Sequence, residues 1–321
     1  LAEQRTVAEL CWEVIIVDNA SADATAEVCV NLWNEFANPV SLRVVEELIP
    51  GLSQARSKGI EHASYEYLIF CDDDNWLEPD YIANVFARLE GDPAIGVLGG
   101  ENIAETETTP PDWFLEEQEM FAIGRQGLQT GDVSERRFIF GAGMAIRKSV
   151  WCELMAKGYR SFLSDRQGVL LSSGGDSEIC AWHLREGYKL FYDENLRLRH
   201  YVETGRLDMR YLRRLKSSMA EANMVLRVYH SLLDREPTSD SPRDKLKGIP
   251  LILSGLLAYP FSRKTALRKL VKAQIAFGTS VSLIPRLHEI ISYYSCISPL
   301  KHNDLPKPTP HMIEPKPEPE P

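Results

Sequence analysis

Residues 65–80, Tyr-Glu-Tyr-Leu-Ile-Phe-Cys-Asp-Asp-Asp-Asn-Trp-Leu-Glu-Pro-Asp, constrain the fold more than any other stretch of this 321-residue chain. Residues 67–71 form a short apolar run rich in β-formers and without polar alternation, the pattern of a strand buried on both faces of a sheet. The run ends abruptly in three carboxylates. Glu78 and Pro79 read as a helix start, with Pro at the first helical position and Tyr81, Ile82, Val85, Phe86 and Leu89 forming one apolar face. Three adjacent aspartates repel one another, so holding them ionised at the end of a packed strand calls for a shared cation. If the extended geometry persists, Asp72 and Asp74 point to one side and Asp73 to the other. A hard divalent ion, manganese or magnesium, is commonly held by one or two carboxylates with water and phosphates completing the shell. The plainer alternative is that the acids cap the next helix or lie solvated in a loop.

The same strand-then-acid pattern occurs earlier. Residues 14–17 form a buried-strand run ending at Asp18, and a helix is expected over residues 24–36 with Val28, Leu32 and Phe36 on one stripe. Residues 41–46 read as a strand and residues 51–62 as a helix after a Pro-Gly turn. This alternation predicts an α/β fold with a mostly parallel sheet, in which ligands bind at the carboxyl ends of the strands. Asp18 and the three aspartates lie at such ends. Arg56, on the intervening helix, is either their neighbouring cation or an ordinary surface arginine.

Further on, residues 95–100 read as a strand closing on glycines, and residues 101–132 as a long acidic loop containing Pro-Pro-Asp-Trp. Residues 138–147 read as a strand broken by Gly141 and Gly143, which points to close approach by something bound. A helix follows over residues 148–159. Residues 172–178, Ser-Ser-Gly-Gly-Asp-Ser-Glu, form a glycine turn running into a helix over 177–186 that Gly187 stops. Taken alone, Asp176 there reads as an N-cap. Residues 189–193 and 196–200 read as two strands, and a lone histidine at the end of the second, His200, reads as structural. Residues 207–297 are helical in pattern, and the proline-rich, charged end from residue 299 is expected to be disordered or extended.

The net charge of −10 hides an asymmetry: residues 206–272 hold fifteen Lys/Arg against six Asp/Glu, a local +9. Such a segment suits anionic lipid headgroups, a nucleic acid or simply a solvated face, and the acidity of the whole chain disfavours nucleic acid. No run has the roughly 18–20 apolar residues of a membrane-spanning helix. The longest, residues 249–261, contains two prolines. Six scattered cysteines match neither a zinc site nor a disulfide framework and fit a reducing cytoplasm, and no signal peptide opens the sequence.

Five motifs in order carry a resemblance. They are Val-Asp-Asn-Ala-Ser-Ala-Asp-Ala-Thr (17–25), Gly-Leu-Ser-Gln-Ala-Arg-Ser-Lys-Gly-Ile (51–60), Asp-Asp-Asp (72–74), Gly-Gly-Asp-Ser-Glu (174–178) and Arg-Glu-Gly-Tyr-Lys-Leu (185–190). Over residues 12–212 the chain resembles a family 2 glycosyltransferase of the GT-A fold, a Rossmann-like, mostly parallel sheet with helices on both faces. The resemblance implies a GT-A domain over 1–205, a basic helical region over 206–298 and a tail over 299–321. It implies that Asp18 and Arg56 contact the nucleoside of a nucleotide-diphosphate sugar. Asp72 then sits by the ribose with Asp73 beside it, Asp74 binds a manganese or magnesium ion on the diphosphate, and His200 reaches the metal or diphosphate. Asp176 matches the catalytic base. The acceptor, a saccharide or lipid-linked saccharide, is expected to be shaped by the 101–132 segment, including Trp113, and by the surroundings of Gly143 and Met144.

Two features depart from the family pattern. Gly175 stands before Asp176 where relatives often carry Glu, and the family opens with a strand and helix ahead of the segment matching Val14, a strand that touches the nucleoside. Residues 1–6 resemble only the end of that first helix, so the resemblance implies a chain lacking the family's opening strand. The expected function is inverting, metal-dependent glycosyl transfer in polysaccharide synthesis, at the inner membrane face through the basic segment. The alternatives are a non-catalytic glycosyltransferase-like component of an assembly complex and a nucleotidyltransferase. Retention of Asp74 with Asp176 argues against the first. The lack of a glycine-rich phosphate loop followed by lysine argues against the second.

Overall fold

A computed structural model describes residues 1–7, 10–36, 40–163, 173–234, 242–258, 262–277, 283–295 and 297. The expected tail over 299–321 lies outside the described residues. The elements in chain order are β1 (Glu13–Asp18), α1 (Thr25–Glu35), β2 (Ser41–Glu46), α2 (Leu52–His62), β3 (Tyr67–Ile69), β4 (Asn75–Leu77), α3 (Tyr81–Gly91), β5 (Ile95–Thr106) and α4 (Trp113–Glu117). They continue with β6 (Gly131–Asp132), β7 (Ala145–Arg147), α5 (Lys148–Ala156), α6 (Gly175–Arg185), β8 (Lys189–Val202), α7 (Met209–Asp234), α8 (Pro242–Ala258), α9 (Arg263–Phe277) and α10 (Pro285–Ser295).

The strands form a mixed sheet in the order β3-β7-β5-β8-β4, with β6 also on β8, and a separate parallel pair of β1 and β2. The two longest pairings, β1 with β2 and β5 with β8, are parallel. This is the α/β architecture expected, with a helical region after it. Among the described residues β1 pairs with β2 alone and β3 with β7 alone, and the other edges of both line one cavity.

Several local expectations change. Strand β3 stops at Ile69 and is half-buried rather than covered on both faces, because its residues line the cavity. Helix α3 begins at Tyr81, two residues beyond Pro79, and buries Tyr81, Val85 and Leu89 as its spacing predicts. The carbonyls that end α3 are satisfied by Arg147, whose guanidinium donates to the oxygens of Leu89 and of Asp92 (3.1 Å) while stacking over Tyr67. In α1 the stripe of Val28, Leu32 and Phe36 faces outward, each about half exposed, and Trp33 is the buried residue. One indole, anchored by Nε1 donating to the Val40 oxygen at 3.2 Å, turns the helix so that its neighbours in the apolar pattern face away.

Residues 101–106, expected in a loop, continue β5 against residues 197–202 of β8, with a register shift at Gly99 and Glu101. The two strands expected at 189–193 and 196–200 are one, β8, pairing with β5 at both ends. The strand expected over 138–147 shrinks to β7 because residues 138–144 pass under the site as irregular chain.

The C-terminal helices share the core of the α/β part. Ile60, Val97, Trp182 and Leu190 belong to one apolar cluster with Val225, Tyr229, Ile290 and Tyr294. Arg185 at the end of α6 donates to the oxygens of Tyr294 (2.7 Å) and Ile297 (2.6 Å), capping the carbonyls that end α10.

Candidate functional site

The three aspartates do not continue the strand. The chain turns at Asp73 and Asp74 and resumes as β4, so the expected alternation of sides is lost and all three line the same cavity. Strand β4 pairs antiparallel with β8, placing Asn75 opposite His200. That pairing brings His200 Nε2 to 3.4 Å from Asp74 Oδ1, so the histidine is part of the site. Asn75 Nδ2 donates to the same oxygen at 2.9 Å, and Arg206 Nη1 lies 3.1 Å from Asp74 Oδ2. Partial burial works against the ionised form of Asp74, but His200 and Arg206 outweigh it and hold the carboxyl below its usual range. Asp72 goes the other way: burial raises it, with the guanidinium of Arg56 opposing.

Arg56 is not a surface arginine. It is 8% exposed, projects from α2 and lies over the ring of Phe70 at 5.3 Å. Helix α2 is itself tied to the end of β1, since Gly51 N donates to Asn19 Oδ1 at 2.6 Å and Asn19 Nδ2 donates to the oxygens of Glu47 and Ile49.

Asp176 lies in the first turn of α6, whose N-cap is Gly174, so the N-cap expectation for Asp176 fails. Its Oδ2 accepts from Gly141 N at 3.0 Å and its Oδ1 from Ser177 N at 2.7 Å. Gly141 sits where Arg56 and Asp176 converge: a Cβ there would fall 2.5 Å from Arg56 Nη2 and 3.3 Å from Asp176 Oδ2. The close approach signalled by Gly141 is therefore to the site's own side chains. At Gly143, with φ +75°, it is to Tyr81 and Leu198, and Tyr81 Oη donates to the Gly143 oxygen at 2.7 Å.

One cavity of about 1420 Å³ is lined by Arg56, Asp72, Asp73, Asp74, Asp176, His200 and Arg206. The same cavity is lined by Arg136, Phe138 and Phe140 and by Met219, Asn223 and Leu226 of α7. Asp18 lies at the carboxyl end of β1, where it accepts from Ser21 N at 3.1 Å, and is not in the cavity wall, although its neighbours Val17 and Asn19 are. The expected acceptor residues are also outside the wall. Trp113 packs against Phe114 and Phe121, Met144 is wholly buried in the core, and Gly143 is enclosed by Tyr81 and Leu198.

Asp74 and His200 offer an oxygen and a nitrogen donor to one point. Among the described residues His200 Nδ1 is buried without a hydrogen-bond partner, and its Nε2 faces the Asp74 carboxylate. Among the described residues no group of three or more His, Cys, Asp and Glu side chains is gathered for a metal. Two protein donors with diphosphate oxygens and water fit manganese or magnesium, which are often held that way. Asn75 and Arg206 escaped the sequence reading. Asn75 adjoins the acids but carries no motif of its own, and Arg206 stands 132 positions from Asp74.

Residues 1–153 match the profile of Glycosyl transferase family 2. Glycosyltransferase GlyA of Streptococcus pneumoniae is 32% identical over 88 residues, covering 26% of this chain and 12% of the relative. The glucosyl-dolichyl phosphate glucuronosyltransferase of Haloferax volcanii is 24% identical over 164 residues, covering 50% of this chain and 51% of the relative. The chain thus spans about half the length of these relatives or less. The structure of S. aureus TarS 1-349 in complex with UDP-GlcNAc superposes with a TM-score of 0.53 at 15% identity, covering 92% of this chain and 84% of that one, which is a likeness of fold. The stretch that matches the glycosyltransferase family 2 profile, residues 1–153, carries Arg56 and the three aspartates.

Proposed function

We propose that the chain is an inverting, metal-dependent glycosyltransferase that moves a sugar from a nucleotide-diphosphate sugar to a saccharide or lipid-linked acceptor. The observation that carries this is one cavity lined both by Arg56, Asp72, Asp73, Asp74, His200 and Arg206 and by Asp176, which accepts from Gly141 N. Arg56, Asp72 and Asp73 would receive the nucleotide, with Asp18 steadying the turn after β1. Asp74 and His200 would hold a manganese or magnesium ion, which when bound supplies positive charge to the departing diphosphate.

The acceptor hydroxyl would enter past Phe138, Phe140 and α7, which also line the cavity. Its oxygen attacks the anomeric carbon, the bond from that carbon to the diphosphate oxygen breaks, and the proton passes to the Asp176 carboxylate. One displacement with one base inverts the anomeric centre. Two backbone donors, Gly141 N and Ser177 N, hold the Asp176 carboxylate in place. TarS was solved with UDP-GlcNAc, so uridine is the first base to test. Calorimetry with UDP, dTDP and GDP in the presence of manganese is expected to show binding of one of them. Asp74→Asn should weaken that binding about tenfold or more, since it removes the charged donor. Metal-independent binding, unaffected by the substitution, would exclude this assignment of Asp74.

A lipid-linked acceptor would place the enzyme at a membrane surface. No helix among the described residues is long and apolar enough to cross a membrane. Helix α8, which packs against α9, exposes Ile249 (49%), Leu253 (58%), Leu256 (60%) and Leu257 (75%). These fall at i, i+4, i+7 and i+8, one apolar face of a helix within the +9 segment, as in helices that lie in the headgroup layer. The chain is expected to float with vesicles containing phosphatidylglycerol and less with phosphatidylcholine alone. Leu253→Glu with Leu257→Glu should abolish flotation while leaving nucleotide binding intact. Equal flotation of that variant would show that α8 is not the contact.

A further inference from the structure

Arg206 has no role in the reading above, yet it occupies the residue expected to hold the metal. Both oxygens of Asp74 are engaged: Oδ2 by Arg206 Nη1 at 3.1 Å, and Oδ1 by Asn75 Nδ2 at 2.9 Å and His200 Nε2 at 3.4 Å. The Asp74 and Arg206 side chains are 18% and 23% exposed, so water screens the pair only in part. A divalent cation arriving alone would meet the guanidinium at the carboxylate it needs, and like charges at that distance repel.

The position of Arg206 suggests where it can go. It ends a short 3-10 turn, Thr204–Arg206, between β8 and α7, and its side chain lines the cavity beside the three aspartates. A nucleotide diphosphate brings the negative charge with which a displaced guanidinium pairs, and the planar fork of arginine suits carboxylate and phosphate alike.

We propose that Arg206 is a further donor-binding residue that exchanges partners: it holds Asp74 in the free protein and moves to the diphosphate when nucleotide and metal enter together. This rests on the donor reading given above. Metal and nucleotide then each bind weakly alone and strengthen one another, and the two effects are equal by linkage. The same contact keeps the Asp74 carboxylate compensated between turnovers.

The test measures manganese binding to the full chain by electron paramagnetic resonance, and UDP binding by calorimetry, each with and without the other ligand. Arg206→Gln is expected to bind manganese alone about tenfold more tightly, and UDP at saturating manganese about tenfold more weakly. Arg206→Lys, which keeps the charge without the fork, should hold manganese affinity near that of the unaltered protein and lose part of the UDP affinity. A purely structural arginine would lower both affinities together with the melting temperature. Unchanged or weaker manganese binding in Arg206→Gln overturns the proposal. If the unaltered chain binds no UDP, the donor reading fails, and the manganese measurement still decides the contact with Asp74: a gain in Arg206→Gln upholds it and no gain removes it.

Discussion

Asp176→Asn is expected to leave a folded protein that binds nucleotide and releases the nucleoside diphosphate from its nucleotide-sugar donor about 10²–10⁴-fold more slowly, the usual contribution of a general base. Asparagine matches aspartate in size, so the first turn of α6 and the Gly174 cap should persist. The amide cannot take a proton from an attacking hydroxyl or water. It also fits the local donors less well, because the carboxylate accepts from Gly141 N with one oxygen and from Ser177 N with the other. The amide oxygen can serve one of them, and the amide nitrogen then faces the other donor. Some destabilisation should therefore accompany the loss, and the melting temperature and the UDP affinity must be read alongside the rate. A lost rate with UDP affinity retained assigns the base. A retained rate removes Asp176 from that role, whatever the nucleotide does.

The parts of this fold written locally were legible in the sequence. Residues 14–17, 41–46 and 51–62 and the apolar face of α3 carry period and punctuation within a few residues, and their elements fall close to where they are expected. Strand β4 is only Asn75–Leu77 and has no period of its own; it exists because β8 passes alongside. The same pairing brings His200, which reads as structural on its own and as a metal or diphosphate residue through the family resemblance, to Asp74, whose other oxygen meets Arg206. Contacts of that range leave no trace in neighbouring residues. Trp113 and Met144 misled for the opposite reason: an aromatic in an acidic segment and a residue between glycines look like ligand contacts, yet they serve aromatic packing and the core. The free edges of β1 and β3 are a similar case, since each strand reads well alone and nothing local states which neighbour it keeps.

Glu178, two positions after Asp176, should make stability fall as pH rises. It is wholly buried and accepts from Phe162 N (2.8 Å), Leu163 N (3.2 Å), Ser161 Oγ and Tyr229 Oη, so it ties α6 to the 161–163 segment and to α7. Burial is the largest influence and pushes its carboxyl up to about 7 from 4.5, against the four hydrogen bonds that pull it down. With the folded value above the unfolded one, the native state binds more protons than the unfolded state between those two values. The stability is therefore complete below pH 4.5 and is lost as pH rises to about 7, in total roughly 3 kcal/mol. His183, buried and held down at about 4, gives the opposite slope in part of that window, so the difference between proteins is the readable quantity. Urea unfolding of the unaltered chain and Glu178→Gln from pH 5 to 8 should show the variant less stable at pH 5, because its amide nitrogen faces hydrogen-bond donors. The gap should close as pH rises, because the amide never ionises. Glu178→Ala, which takes the acceptor from the Phe162 and Leu163 N–H groups and opens a cavity, should cost roughly 3 kcal/mol or more at every pH. A pH-independent gap between the unaltered chain and Glu178→Gln would show that Glu178 is ionised throughout, and that its four donors outweigh its burial.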